Sequence, residues 1–354
     1  MNSLRNASLV LLFAIILSAP AFAAVSSADS EVAEEFTSYY DQLDANGKEI
    51  YDRLKDASAD GAPITVNLPM EITVRSDVQE GAETTIRNMI RDTVDEAFIA
   101  LRLSSPLSYW GWGASSINYI PDMVTQGNSV TVSSIYFEID LEGYPKDPET
   151  GEFQGIQKML DDLNEAIAGF STASTSVRDK IMDINNYLTG LITYDPNLGT
   201  ENESRYAHDA YGALVDPNHY AVCDGYSKAF LLLCQKEGIE CVVVFGTGLP
   251  SFINHAWNYV KLDNGSWYAI DVTWNDSGGN AYFLIGGDAF FTTHQQGVFL
   301  EASLLPYKFN SPPISKTSYD SAPQDSYAEY AWLLAILLVA IILMALYKHS
   351  KGQS

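Results

Sequence analysis

The segment "HYAVCDGYSKAF", residues 219–230, places a single cysteine, Cys223, immediately before a run with a helical pattern. A cysteine at the start of a helix faces unpaired backbone N–H groups and the positive end of the helix dipole, and both stabilise a thiolate. We therefore expect Cys223 to have a lowered pKa and to act as a nucleophile. The same N–H groups can stabilise an oxyanion on a substrate carbonyl.

A cysteine nucleophile needs a general base, and the base needs a group that orients it. The segment "HAWNYVKL" begins with His255, the segment "SWYAID" ends with Asp271, and both have the pattern of strands. The sequence Asp-Asn-Gly at 263–265, between them, predicts a tight hairpin turn. In such a hairpin His255 and Asp271 lie at the same end of the ribbon, so we expect their side chains to face each other about 5 Å apart.

Each of these residues also has a purely structural interpretation. A lone cysteine in an apolar segment is often an inert buried side chain, an aspartate can cap a turn, and a histidine can simply occupy a strand. The combination of a helix start, a strand start and its hairpin partner favours a catalytic triad of Cys223, His255 and Asp271. The other histidines considered are predicted to face solvent or to pack: His208, His219 and His294.

Two longer segments carry a family resemblance, "AVCDGYSKAFLLLCQKEGIECVVVFG" and "NHAWNYVKLDNGSWYAIDVTWND". Their motifs Cys-x-Gly-Tyr, His-Ala-Trp-Asn and Asp-x-Thr-Trp occur in this order, and the region from about 176 to 285 resembles the core of the transglutaminase-like superfamily. The segments upstream are similar to the N-terminal parts of secreted prokaryotic members. The resemblance implies an α+β, papain-type fold, in which a helix bearing the cysteine packs on an antiparallel sheet bearing the histidine and the aspartate.

The resemblance also assigns roles to individual residues. It implies that Cys223 is the nucleophile, that His255 is the base and acid, and that Asp271 orients the imidazole. In this family an aromatic or polar side chain upstream of the cysteine often completes the oxyanion hole, and the candidates here are Tyr211 and Tyr220.

The expected chemistry is acyl transfer on a peptide or amide substrate. Cys223 attacks the carbonyl, and the resulting thioester is resolved by water, as in a protease or amidase, or by an amine, as in a protein cross-linker. Hydrolysis is favoured, because many prokaryotic members of the superfamily are thought to be proteases. The alternatives are a catalytically silent surface module that binds protein or glycan, and a structural envelope protein. A complete triad argues against a binding role.

No cofactor and no metal site are expected. The three cysteines lack CxxC spacing, and the chain contains neither an HExxH motif nor an EF-hand loop. Cys234 and Cys241 could form a disulfide in an exported protein, but two buried thiols are favoured. Cys234 lies about three helical turns from Cys223, too far to serve as its resolving partner.

The two ends of the chain predict export and membrane anchoring. Residues 1–24 have one arginine, an apolar run and small residues before the expected cleavage site, as in a signal peptide. Residues 330–347 are uncharged and apolar over the length of a membrane helix, and Lys348 and Lys351 follow them. We therefore expect a single-pass membrane protein with its main domain outside the cell and a cytoplasmic tail at 348–354.

Composition and turn-rich segments divide the region between these ends. A formal net charge of −25 argues against nucleic acid as a partner and is consistent with a solvated exterior face, but it does not name a substrate. The predicted units are an N-terminal α+β region at 30–142, a catalytic domain at 153–305 and a Pro- and Ser-rich stalk at 306–328.

Overall fold

The positions of the helices and strands come from a computed structural model. It describes the following residues: 36–56, 64–67, 70–73, 79–108, 115–126, 129–141, 155–297 and 309–319. The predicted signal peptide at 1–24 and the predicted membrane helix at 330–347 lie outside the described residues. Within the described ranges, every helix is too short or too polar to cross a bilayer.

The N-terminal region combines two helices with an antiparallel sheet, as the sequence predicts. The long helix buries Ile86, Ile90 and Val94, which recur at helical spacing. The first helix begins only after Asp44, whose carboxylate accepts a hydrogen bond from the Gly47 amide at 2.7 Å, so it is shorter than the helical pattern suggests. The elements are α1 (Ala45–Lys55), β1 (Ile64–Val66), β2 (Met70–Thr73), α2 (Gln79–Ser104), β3 (Ser115–Gln126) and β4 (Ser129–Leu141).

Strand β4 is the centre of this first sheet. It pairs with β1, β2 and β3, in each case antiparallel. Its inward-facing side chains alternate along the strand, and Val130, Val132, Ile135 and Phe137 are all buried. The shift from even to odd positions coincides with a bulge opposite Asp122 and Met123 of β3, where the register changes.

The second half of the described chain holds a four-stranded antiparallel sheet, in the order β10-β7-β8-β9, and the helices that pack on it. A short parallel pair, β5 and β6, precedes the cysteine. The helices are α3 (Ile156–Gly169), α4 (Val177–Leu191), α5 (Ala210–Leu214), α6 (Cys223–Lys236), α7 (Val272–Gly278) and α8 (Gly287–Phe290). The strands are β5 (Thr193–Tyr194), β6 (Tyr220–Ala221), β7 (Cys241–Gly248), β8 (Ile253–Lys261), β9 (Trp267–Ile270) and β10 (His294–Gln296).

Helix α6 is the central helix of this half. It packs on β7 and β8, and α3, α4, α5 and α7 lie against it. Because neighbours surround it, nearly every side chain from Asp224 to Cys234 is buried, rather than only one face. The helix that begins with Cys223 is therefore packed against the strand that carries His255.

The predicted hairpin is present between β8 and β9. Gly265 has φ +77°, and its amide donates to the Leu262 carbonyl at 2.9 Å, which closes the turn. The register pairs Asn258 with Ile270. Continued by one residue, it sets Asp271 level with Trp257, so His255 and Asp271 are diagonal neighbours rather than the direct pair that the sequence suggested.

Residues 309–319 correct the prediction of a stalk at 306–328. This segment, here named the edge strap, lies along β9: the Ser315 amide donates to the Trp267 carbonyl at 2.8 Å, and Ile314 forms a parallel bridge with Trp267. At its far end the Tyr319 amide donates to the Leu284 carbonyl at 3.0 Å. The apolar Phe309 and Ile314 explain the packing, because their burial opposes an extended, solvated conformation.

Candidate active site

Cys223 is the first residue of α6 and follows directly on β6. The Val222 amide donates to the Ala207 carbonyl at 2.8 Å, which fixes the chain at the point where the strand becomes a helix. The backbone N–H groups of Asp224 and Ala256 both lie near the Cys223 sulfur and act to lower the pKa of its thiol. Since Ala256 follows His255 in β8, this contact brings the sulfur next to the predicted base.

The protonation state of Cys223 differs from the sequence expectation. Burial, followed by the negative charge of Asp224, raises the pKa of the thiol to about 12, although the two N–H groups act in the opposite direction. The expected lowering by the helix N-terminus is therefore outweighed. Cys223 is a neutral thiol at physiological pH, and it has to lose its proton to a base during the attack on a substrate.

His255 and Asp271 form a buried pair. The distance from His255 Nε2 to Asp271 Oδ2 is 2.7 Å, and the two side chains are 3% and 0% exposed. Burial raises the pKa of Asp271, but the hydrogen bonds from His255 and His294 outweigh it, so the pKa is lowered and the carboxylate is ionised. An ionised carboxylate only accepts, so His255 Nε2 carries the hydrogen and Nδ1 is left to take a proton.

Asp271 also has the structural role that the sequence offered as an alternative. Its Oδ1 accepts a hydrogen bond from the Trp274 amide at 3.0 Å and so caps helix α7. The Trp274 ring stacks on the imidazole of His255, with 5.0 Å between centroids and 23° between planes. One aspartate thus orients the histidine and starts the helix whose tryptophan covers it.

His294 is a site residue that the sequence analysis missed. It was expected to face solvent or to pack, but its Nε2 lies 3.0 Å from Asp271 Oδ2 and its side chain is fully buried. Burial lowers the pKa of His294, and its hydrogen bond to Asp271 only partly opposes this, so the ring is neutral. The surrounding sequence, "TTHQQG", has no motif that would have identified it.

The two tyrosines predicted for the oxyanion hole lie on α5 and β6. The ring of Tyr211 packs on Tyr206, 4.9 Å between centroids, and its pKa reflects the charges of Asp162 and Lys158 on α3. Tyr220 pairs with Thr193 in the β5–β6 ladder, so its side chain points to the face opposite that of the next residue.

The pKa of a third tyrosine, Tyr194, depends on the nucleophile. It pairs with Ala221, two residues before Cys223, and its ring lies 6.4 Å from that of Tyr226. Burial and then the charge of Cys223 raise the pKa of the Tyr194 phenol to about 12, so the hydroxyl keeps its proton and can donate it in a hydrogen bond. Tyr194 is thus a third candidate for the oxyanion hole, besides Tyr211 and Tyr220.

A charged cluster flanks the site on the side of Asp224. His208 lies between two carboxylates, with Nδ1 2.8 Å from Asp224 Oδ1 and Nε2 2.9 Å from Glu203 Oε1. The buried Lys228 ammonium lies 3.8 Å from Asp224 and 3.3 Å from Asp209. The hydrogen bonds and ion pairs of the cluster compensate the burial of Asp224 and keep its pKa low.

The remaining residues predicted near the site have structural positions. His219 lies in the loop before β6, and its Nδ1 is 3.0 Å from the Ala213 carbonyl oxygen. Cys234 and Cys241 are free thiols, as favoured from the sequence, but of these two only Cys234 is buried; Cys223 is free as well. Burial, with a hydrogen bond to Cys241, raises the pKa of Cys234 well above its usual value.

The site also contains three residues whose arrangement resembles a metal site, His255, Asp271 and His294. The sequence motifs did not suggest this group. Their potential ligand atoms all lie within 4.8 Å of one another. However, Asp271 Oδ2 is only 2.7 Å and 3.0 Å from the two imidazole nitrogens. Two ligands of a tetrahedral zinc, each about 2.1 Å from the ion, lie about 3.4 Å apart. The spacing therefore corresponds to N–H···O hydrogen bonds.

Comparisons with known proteins place a family domain over this site. Residues 162–272 match the family model of the transglutaminase-like superfamily, so the chain carries a transglutaminase-like domain that contains Cys223, His255 and Asp271. No curated protein matches the chain.

Several solved structures are similar to the chain. One is a TGase crystal structure, with 14% identity, a TM-score of 0.29 and coverage of 64% of this chain and 57% of that chain. Another is a candidate cysteine protease from Cytophaga hutchinsonii, with 12% identity, a TM-score of 0.27 and coverage of 52% and 68%. A third is the periplasmic domain of TgpA from Pseudomonas aeruginosa, with 13% identity, a TM-score of 0.20 and coverage of 47% and 66%. The chain therefore spans little more than half of the TGase.

Proposed function

We propose that this protein is a cysteine-dependent acyl-transfer enzyme that hydrolyses peptide or amide bonds. The observation that carries the proposal is the proximity of three groups: the Ala256 amide lies near the Cys223 sulfur, and the adjacent His255 donates to the buried Asp271 at 2.7 Å. A purely structural cysteine would not need a base with an ionised, buried orienting group beside it. The family domain over these residues supports the same chemistry.

The proposed first step is acylation. The Cys223 sulfur attacks the substrate carbonyl while His255 Nδ1 takes the thiol proton, and Asp271 stabilises the imidazolium that forms. The negative charge that develops on the carbonyl oxygen is stabilised by the Cys223 backbone N–H and by the Tyr194 hydroxyl. The tetrahedral intermediate then collapses, the C–N bond breaks, and the imidazolium gives its proton to the leaving amine.

The second step returns the enzyme to its starting state. His255 removes a proton from water, the hydroxide adds to the thioester carbonyl, and the C–S bond breaks. The sulfur recovers a proton from the imidazolium, and a carboxylic acid is released. We propose water as the acceptor because hydrolysis needs one bound substrate, whereas cross-linking also needs a site that holds an amine.

The site is proposed to act at the outer face of a membrane. The signal-like residues 1–24 would export the chain, and the apolar helix at 330–347 would anchor it, with Lys348 and Lys351 in the cytoplasm. The substrate would then be a protein or peptide outside the cytoplasm. The net charge of −25 favours such a partner over nucleic acid.

The test is labelling with an electrophilic amide probe, followed by assays on a fluorogenic peptide library. Wild type and Cys241→Ala, a control that removes a different thiol, are expected to react. Cys223→Ala is expected to be inert. Labelling of Cys223→Ala at the wild-type rate, or wild type that neither reacts nor turns over any peptide, would favour a binding module instead.

Tyr194→Phe tests the oxyanion hole separately. Loss of one donor to the oxyanion typically lowers kcat by about 100- to 1,000-fold. Tyr220→Phe is the matched control, because that phenol lies on the other face of the same strand pair. Equal kcat values for the two variants would exclude the assignment of Tyr194.

A further inference from the structure

We propose that His294 is a second imidazole partner of Asp271 and acts as a positioning residue that holds the catalytic carboxylate in place for His255. The proposal deepens the proposed function and rests on it. This arrangement differs from a simple triad, because two histidines, rather than one, form hydrogen bonds with the aspartate. The partner of His294 is a residue of the site, and its effect on the reaction is transmitted through Asp271.

The hydrogen bonds of Asp271 leave the carboxylate little freedom to rotate. Both imidazoles approach the same oxygen, Oδ2, at 2.7 Å from His255 and 3.0 Å from His294. The other oxygen, Oδ1, accepts from the Trp274 amide at 3.0 Å. Three donors from β8, β10 and the start of α7 therefore fix the plane of one carboxylate. Without His294, only two would remain.

The fold holds the ring of His294 firmly. His294 begins β10 and pairs with Gly248 of β7, and the Leu249 amide donates to the Thr293 carbonyl at 2.8 Å. The ring stacks on Phe290, with 3.9 Å between centroids and 11° between planes. Its backbone and its ring are thus both fixed, as a positioning role requires.

The burial of His294 indicates that its N–H group, and not only its volume, is used. A polar ring buried without a partner costs free energy, and an apolar side chain would fill the same space without that cost. Here both nitrogens are engaged, since Nδ1 lies 2.9 Å from the Thr293 hydroxyl. The arrangement fits a neutral ring with hydrogen on Nε2, which donates to Asp271, and a lone pair on Nδ1.

Neutrality of His294 leaves the charge of Asp271 available to His255. Burial lowers the pKa of His294, so at neutral pH its ring is uncharged beside the ionised carboxylate. When His255 takes the thiol proton, the only new positive charge lies on the ring beside Cys223. A His294 that was charged at the same time would compete for Asp271.

The experiment compares three variants of the full-length protein in detergent. His294→Leu removes the N–H group at similar volume, and His294→Gln keeps an N–H donor at the position of Nε2. Phe290→Leu removes the stacked ring and leaves the donor in place. Spectra of 15N-histidine-labelled protein report the tautomers, since the chain has only five histidines. Iodoacetamide alkylation of Cys223 and kcat on the peptide found above report the reaction.

We expect both His255 and His294 in wild type to carry hydrogen on Nε2, and His294 to be neutral. His294→Leu should lose the single tautomer of His255 and about 10- to 100-fold in kcat, the range for removal of an outer-shell partner, with KM little changed. Alkylation should slow in the same variant. His294→Gln should restore both readouts, and Phe290→Leu should leave the tautomer of His255 unchanged.

Two results would overturn the proposal. One is a wild-type spectrum in which His294 lacks hydrogen on Nε2, a measurement that needs no variant to fold. The other is a folded His294→Leu variant that keeps the wild-type tautomer of His255 and the wild-type alkylation rate, or a folded His294→Gln variant that restores neither. Neither readout requires turnover. If wild type hydrolyses no peptide but the tautomers behave as expected, the proposed function fails and the positioning role of His294 stands.

Discussion

Replacement of His255 by glutamine tests how Cys223 is activated. The amide keeps a donor for Asp271, but it cannot take a proton. Because burial raises the pKa of the Cys223 thiol to about 12, the variant should hold a thiol that is almost never ionised at neutral pH. In the proposed mechanism of the wild-type protein, His255 removes the proton as the sulfur reacts.

The expected magnitude follows from the thiolate fraction. With a pKa of about 12, about one thiol in 100,000 is ionised at pH 7. For a free cysteine with a pKa of about 8.5, the fraction is about one in 30, a difference of about 3,000-fold. A more basic thiolate is also more reactive, by about 40-fold for a Brønsted slope near 0.45. The net expectation is alkylation about 100-fold slower than that of free cysteine.

The assay is the rate of iodoacetamide modification at Cys223, followed by peptide mass mapping, with glutathione as the reference thiol. The rate for His255→Gln should keep rising about tenfold per pH unit beyond pH 9, where a free thiol has levelled off. Wild type should react faster than this variant at every neutral pH. Equal rates for the two proteins, or a His255→Gln rate that matches glutathione, would refute base activation of a neutral thiol.

Three further predictions concern packing, pH and topology. Gly286→Ala should lower the free energy of unfolding by about 1–3 kcal/mol, because the new Cβ would lie 2.2 Å from the Thr317 carbonyl carbon. The control is Gly169→Ala, in which the Cβ meets nothing within 4 Å. Equal Tm values for the two variants would contradict the close contact at Gly286. Acidification from pH 7 to about 5 should lower the Tm of wild type more than that of His294→Leu. The pKa of His294 is lowered on folding, so its contribution to stability is complete above the unfolded pKa of 6.5 and is lost as the pH falls below that value. Parallel Tm profiles for the two proteins would contradict this prediction. A fragment of residues 25–325 should be secreted in soluble form, and its retention on membranes after a carbonate wash would rule out the span at 330–347.

The places of Cys223, His255 and Asp271 in the fold follow from local signals in the sequence. Cys223 stands at a helix start, and the Asp-Asn-Gly turn sets the hairpin that carries His255 and Asp271. The offset of two residues between His255 and Asp271 was not predictable, since β9 ends at Ile270 and Asp271 belongs to the next helix. Capping of α7 and orientation of the imidazole use different oxygens of the Asp271 carboxylate. The aspartate can therefore be both a structural cap and a partner of His255.

His294 and Tyr194 were missed because tertiary contacts alone bring them to the site. His294 reaches Asp271 through the pairing of β10 with β7, two strands that are separated along the chain by β8, β9, α7 and α8. Tyr194 reaches the cysteine through a two-residue parallel pair, which is too short to leave a periodic pattern. The pKa of Cys223 was misjudged for a related reason, since the helix start is visible in the sequence and the burial of the sulfur is not.

The edge strap also determines how far the active site can lie from its proposed anchor. The strap is packed on β9 as far as Tyr319, and the proposed membrane helix begins at 330. Ten residues therefore connect them, and a fully extended chain of that length spans at most about 35 Å. With this anchor, a short connection would hold the domain close to the membrane, rather than a long stalk that raises it above the surface. Its substrates would then be selected by distance as much as by sequence: proteins lying on or emerging from the same membrane are within reach, and those farther from the surface are not.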